Sequence, residues 1–212
     1  MTKAVIFDLD GTLVNTEPLY WAAWRRVLWH HDVDLTDAHL QANVGRTPLE
    51  GARKYVTEFA LETEPEALVD GLVAEALAVP EREMMNGAIR TLDLVRAAGL
   101  PVAIATGATM VMANASLRGS GLASRFDVVV SAEHESHGKP HPAVFLTAAD
   151  RLGVQAADCT VVEDAPNGII AAKAARMRCI AVPEHYSKDH CTLAIADVVL
   201  DSLEDFSLDL LS

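Results

Sequence analysis

Six short runs along the chain are apolar at nearly every position: residues 4–9, 101–106, 126–130, 159–162, 179–182 and 197–200. They are rich in Val, Ile and Ala and lack the in–out alternation of a half-exposed strand, which is the pattern of parallel strands covered on both faces. Helical periodicity fills the intervals at 87–98, 109–120, 142–152 and 167–176, with Gly99, Gly121 and Gly153 placed as helix stops. Strand and helix alternate, so the pattern predicts a doubly wound parallel α/β sheet of Rossmann-like architecture. Residues 17–83 interrupt that alternation with helical stretches at 17–31, 48–61 and 65–79 and no convincing strand. We therefore read residues 1–16 and 84–212 as one Rossmann-like core, and 17–83 as a helical domain inserted after the first strand, where it would lie over the carboxyl edge of the sheet.

Composition adds bounds to this picture. The 212 residues are 50% hydrophobic and 22% charged, as expected of a folded chain with one main core and a small second domain. Thirty acidic residues against 17 basic ones give a formal charge of −13, which disfavours nucleic acid or an anionic membrane as partner. No run is long and apolar enough to span a bilayer. The opening MTKAVIFDLD moves into a strand pattern without the features of a secretory signal, so a cytoplasmic location is expected. Cys159, Cys179 and Cys191 are odd in number and unpaired by spacing, and read as bland buried thiols.

The candidate chemistry lies where the apolar runs end. Asp8 and Asp10 close the first in FDLDGT, Thr106 the second in AIATG, and Glu163 with Asp164 the fourth in VVEDAPNG; Lys139 follows the third in GKPHP. Ligands of open parallel sheets bind outside the carboxyl ends of the strands, so this placement gathers four acids, one hydroxyl and one ammonium at one spot. So many carboxylates repel one another unless a hard, oxygen-loving cation joins them, and magnesium fits best. Asp8 and Asp10 start on the same side of an extended strand, and both can face one phosphoryl group. Asp8 could then act as nucleophile, and Asp10 as general acid and base. The Thr106 hydroxyl and the Gly107 amide could hold phosphoryl oxygens, with Lys139 offsetting their charge. Each motif alone is an ordinary turn; their joint occurrence at successive strand ends is not.

With FDLDGTL, ATG, GKPHP and VVEDAPNGIIAAKAA in this order, the chain resembles the haloacid dehalogenase-like phosphohydrolases over nearly its whole length, specifically the beta-phosphoglucomutase-like branch. Within that branch, NTEPLYWAAW and NGIIAAKAARMRCIAVP look most like bacterial hexitol and 2-deoxyglucose 6-phosphate phosphatases. The resemblance implies a helical cap at 17–83, Asp8 as nucleophile, Asp10 as acid and base, and a magnesium site of Asp8, Asp10 through its carbonyl, and Asp164, with Glu163 beside them. Thr106, Gly107, Ala108 and Lys139 would bind the phosphoryl group. Gly45, Arg46 and Thr47 occupy the position of the family's cap specificity loop. Trp24 aligns with a pocket-lining tryptophan, but Trp21, Trp24 and Leu28 also recur at helical spacing and read equally as core. Tyr20 stands where the mutases carry a histidine, Pro48 or a neighbour where they carry an arginine, and Asn86 where a proline usually precedes Gly87.

The expected activity is a magnesium-dependent phosphatase that hydrolyses a small phosphorylated sugar or polyol through an aspartyl phosphate, working as a monomer. The alternatives are a beta-phosphoglucomutase-like sugar phosphomutase and, from another class, a phosphoryl-accepting signalling receiver, against which the helical insertion argues. His30, His31, His134, His137 and His141 share no metal-ligand spacing and read as surface or loop residues.

Overall fold

The computed structural model describes residues 1–43, 46–184 and 187–212. The chain forms two compact units, one of Met1–Asn15 with Glu81–Ser212 and the other of Thr16–Pro80.

The first unit is built on a parallel sheet whose six strands, among the described residues, run in the order β3-β2-β1-β4-β5-β6. They are β1 (Ala4–Phe7), β2 (Val102–Thr106), β3 (Val128–Ser131), β4 (Cys159–Glu163), β5 (Arg178–Ala181) and β6 (Val198–Val199). Every residue of β1, β2 and β4 is buried, the reason their sequences are apolar without alternation. Register fixes which side chains share a face. Val5 lies opposite Val102 on one side and Thr160 on the other, and Phe7 opposite Ile104 and Val162.

Val5 and Phe7 join a core cluster with Ala88, Leu92, Val95, Ala113 and Leu117, so the helices at Ala88–Ala97 and Met110–Gly119 cover one face. Ala4 and Ile6 join Val144, Phe145, Ala148, Ile169 and Ala172, which puts the helices at Ala143–Leu152 and Pro166–Ala174 on the other. The expected doubly wound architecture is the one observed. The sixth strand is shorter than the pattern at 197–200 predicts: Val198 and Val199 are in register with β5, and the flanking Asp197 and Leu200 contribute their amides to the Cys179 (2.9 Å) and Ala181 (2.8 Å) carbonyls. Asp197 turns its carboxylate onto the Cys179 amide (2.7 Å) and the Lys173 ammonium (2.6 Å), and Val199 is 48% exposed at the sheet edge.

The second unit consists of α1 (Glu17–Trp29), α2 (Asp37–Gln41), α3 (Pro48–Glu58) and α4 (Pro65–Ala78). In α1, Ala23, Trp24, Val27 and Leu28 form a buried stripe at helical spacing. Helix α4 packs against α1 and α3, and Leu68, Leu72 and Ala76 are its buried face. In chain order the four helices of the first unit are then α5 (Ala88–Ala97), α6 (Met110–Gly119), α7 (Ala143–Leu152) and α8 (Pro166–Ala174). Helix α2 goes beyond the sequence reading. It is five residues long, too short for periodicity to register, and is held by a capping box in which the Thr36 hydroxyl and the His39 ring each satisfy the other's backbone amide.

Candidate active site

The first strand does not simply stop at Phe7. The Asp8 amide continues its ladder by donating to the Val162 carbonyl (3.0 Å), and the chain then turns on itself, with the Leu13 and Val14 amides both donating to the Leu9 carbonyl (3.0 Å each). Gly11 makes this turn possible. Its φ of +81° lies in the left-handed region, and a Cβ there would sit 2.6 Å from Oδ2 of Asp164 and 2.9 Å from Oε1 of Glu184. Glycine is thus required by both conformation and space.

Asp8, Glu163, Asp164 and Thr106 are all buried at the carboxyl ends of β1, β4 and β2. Lys139 links three elements. Its ammonium is hydrogen-bonded to Oδ1 of Asp8, lies 2.7 Å from Oε1 of Glu163, and sits 4.8 Å above the centre of the Phe145 ring on α7. Glu163 is itself fixed, because its Oε2 accepts from the Ala165 amide at 2.7 Å. On the other side, the Thr12 hydroxyl donates to Oδ1 of Asp164 at 2.7 Å, and Ser187 Oγ reaches the Asp164 carbonyl at 3.2 Å. The Thr106 hydroxyl accepts from the Ala108 amide (3.0 Å) and approaches Oδ2 of Asp10 (3.5 Å), while Gly107 is exposed.

The structure therefore brings together Asp8, Asp10, Thr106, Ala108, Lys139, Glu163 and Asp164. Thr12, Phe145, Ser187 and Glu184 belong to the same neighbourhood and were not anticipated. Of these, only Thr12 carried a usable sequence signal, since a hydroxyl directly after the Asp10-Gly11 turn is placed to bond back across it.

The electrostatics follow from three buried carboxylates, of which Asp8 and Glu163 share one ammonium while Asp164 has the Thr12 hydroxyl. Burial pushes Asp8 up to about 7; Lys139 opposes the shift, and the charges of Glu163 and Asp10 reinforce it. Asp164 is raised well above the usual carboxylate range by burial first, then by Glu163 and Asp8, with the Thr12 hydrogen bond pulling the other way. Burial works against the Lys139 charge, yet Asp8 and Glu163 outweigh it and hold this amine well above its ordinary value. Among the described residues no three His, Cys, Asp or Glu side chains converge at metal-ligand distance, because Asp8 and Glu163 turn to Lys139 and Asp164 to Thr12. The donor set nevertheless fits a hard divalent cation. It is all oxygen, it is under-neutralised, and its acids are destabilised by one another's charge.

The four residues of the helical unit named from sequence, Trp24, Gly45, Arg46 and Thr47, fare differently. Gly45 lies outside the described residues. Arg46 is exposed, its Nε donating to the Ala42 carbonyl at 3.4 Å. Thr47 is the N-cap of α3: its hydroxyl accepts from the Glu50 amide (3.3 Å) and donates to the Glu50 carboxylate (2.9 Å). Trp24 is only 6% exposed and packs edge-on against Tyr55, with ring centres 5.3 Å apart, the environment of a core residue. Cys159 and Cys179 are buried as expected, but Cys191 is exposed, since it opens a surface 3-10 turn at Cys191–Ile195 with no buried residue. His30, His134, His137 and His141 are exposed.

Gly168, in the first turn of α8, has a structural reason to be glycine. A Cβ built on it would overlap the Glu163 carboxylate, so the backbone of α8 is the floor on which Glu163 rests. Gly168→Ala is expected to push Glu163 off Lys139. The predicted cost is about 1–3 kcal/mol of stability from overpacking and about a hundredfold in kcat from displacement of the ammonium. A denaturation curve and a rate measurement on the same preparation check both.

Comparison with known proteins identifies the family. The family model for haloacid dehalogenase-like hydrolases matches residues 2–176. The chain is 36% identical over 183 residues to the fructose-1-phosphate phosphatase YqaB of Escherichia coli K12, covering 84% of this chain and 95% of that one. It is 34% identical over 208 residues to hexitol phosphatase B of the same organism, covering 96% and 94%. In fold it is similar to CbbY from Rhodobacter sphaeroides, solved in complex with phosphate, at a TM-score of 0.88 and 24% identity over 100% of this chain and 99% of that one. With its strand-end acids, its buried lysine and a family match over most of its length, the chain belongs to the haloacid dehalogenase-like hydrolases.

Proposed function

We propose that the protein is a magnesium-dependent phosphatase that hydrolyses a small phosphorylated sugar or polyol through an aspartyl phosphate on Asp8. The observation that carries this reading is the buried Asp8–Lys139–Glu163 array with Asp164 beside it, at the edge of the sheet where ligands of this architecture bind. The two phosphatase relatives supply the substrate class.

Asp8 attacks phosphorus, and the bond from phosphorus to the sugar oxygen breaks as Asp10 donates a proton to that oxygen. Asp10 then accepts a proton from water as the water oxygen attacks the same phosphorus and the bond to Asp8 breaks. Phosphate leaves, and Asp8 is regenerated. The Thr106 hydroxyl and the Gly107 and Ala108 amides bind phosphoryl oxygens, while the Lys139 ammonium offsets the charge that gathers on them. Magnesium, held by Asp8, the Asp10 carbonyl and Asp164 with Glu163 nearby, would supply positive charge to the phosphoryl oxygens and keep the Asp8 carboxylate ionised. Choice of the leaving alcohol is assigned to the helical unit, with Arg46 as its candidate cation.

The test is phosphate release from a panel of hexitol, ketose and hexose phosphates, nucleotides being included as controls. Turnover of the sugar and polyol esters is expected with magnesium and should fall to background on chelation, returning when the ion is restored. A hexose 1-phosphate should yield free phosphate rather than its 6-phosphate isomer. Full activity after exhaustive chelation, or a preference for nucleotides, would overturn the proposal.

A further inference from the structure

Beyond the acids at the strand ends, one more carboxylate reaches this site from the segment after β5. Glu184 Oε1 and Asp164 Oδ2 lie within 2.9 and 2.6 Å of the same point, the place a Cβ on Gly11 would take. Both oxygens thus converge on one face of Gly11, a spot kept open because residue 11 has no side chain. The convergence is anchored from below. Ser187 is 2% exposed; its Oγ bonds both the Asp164 carbonyl (3.2 Å) and the Glu184 carbonyl (3.1 Å), and its amide donates to the Glu184 carbonyl (2.9 Å). One buried hydroxyl therefore fixes the spacing between the backbones carrying the two acids.

The two oxygens of Asp164 are differently engaged. Oδ1 accepts from Thr12, leaving Oδ2 on the side of Gly11 and Glu184. The waters of a hydrated magnesium ion are hydrogen-bond donors, and two carboxylate oxygens that converge on one open spot are acceptors placed to receive them. Magnesium typically retains several waters, and side chains that orient a metal's surroundings strongly affect its affinity.

We propose that Glu184 is a positioning residue of the magnesium site, accepting hydrogen bonds from water bound to the ion that Asp164 ligates. The inference rests on the magnesium reading above and assigns Glu184 no direct bond to the ion and no proton transfer.

The experiment is a magnesium titration followed by thermal denaturation, using wild type, Glu184→Gln and Asp164→Asn at constant ionic strength. The amide of Glu184→Gln keeps the shape and removes the charge. Its apparent magnesium dissociation constant should rise about tenfold. Asp164→Asn, which removes a ligand, should abolish most of the magnesium response. If Glu184→Gln binds magnesium as wild type does while Asp164→Asn does not, the Glu184 assignment is wrong and the magnesium reading stands. A lower metal-free midpoint with unchanged magnesium affinity would make Glu184 a structural residue and would also overturn the assignment. If the wild-type midpoint does not respond to magnesium at all, both inferences fall together.

Discussion

Replacing Asp8 by Asn is expected to lower phosphate release by at least about four orders of magnitude for every substrate, while leaving the protein folded. The rate loss follows from the role: an amide oxygen of the same shape is a poor nucleophile, and removal of a covalent catalyst typically costs on this order. Survival of the fold is argued from the site itself. Burial already pushes the Asp8 carboxyl up to about 7, so a neutral group of equal size is readily accommodated there. Lys139 keeps its contact with Glu163 at 2.7 Å and so is not left as an uncompensated buried charge. Thermal midpoints of mutant and wild type measured without magnesium should therefore agree closely or favour the mutant. A steady-state assay together with a melting curve separates the two effects, and residual turnover near wild type would remove Asp8 from the chemistry.

The second large effect is expected at Lys139, and here stability and rate should fall together. Lys139 is the cation shared by Asp8 and Glu163, and its side chain is only 10% exposed. Lys139→Met keeps an unbranched apolar side chain but leaves two buried carboxylates, Asp8 and Glu163, without the cation they share. Removing one partner of a buried ion pair costs about 3–5 kcal/mol, so a clear drop in the chemical denaturation midpoint is expected. Magnesium should recover part of that loss, as it supplies positive charge to the same carboxylates. Activity should stay at least about a hundredfold down even with saturating magnesium, because the ion does not replace the ammonium at the phosphoryl oxygens. Full recovery of rate by magnesium would confine Lys139 to a structural role.

How much of this was legible in the sequence depended on whether the cause was local. Strands β1, β2 and β4 could be read because burial on both faces forces continuous Val, Ile and Ala, and Asp8, Thr106, Glu163 and Asp164 could be brought to one sheet edge because they end those strands or directly follow them. The stripe of Ala23, Trp24, Val27 and Leu28 was legible as a helix, but whether Trp24 faces a pocket or a core was not, because Tyr55 approaches it from another helix. Strand β6 was overestimated since the apolar pattern at 197–200 says nothing of the contacts Asp197 makes with Lys173 and Cys179. Glu184 and Ser187 escaped notice for the same reason. They stand 20 and more residues beyond Asp164, in a segment without periodicity, and only the parallel pairing of β4 with β5 brings that segment alongside. Gly168 looked like part of a motif; its physical purpose, room for the Glu163 carboxylate, exists only in three dimensions.

The central claim is that Asp8 carries the phosphoryl group between substrate and water. Rapid mixing of the enzyme and magnesium with a hexitol phosphate labelled at phosphorus, quenched in acid within one turnover and followed by peptide mapping, tests it most directly. The account predicts label on the peptide containing Asp8, labile to hydroxylamine as an acyl phosphate should be, and absent from Asp8→Asn. Label on another residue, or phosphate released within the first turnover with no protein-bound label at any time, would contradict it.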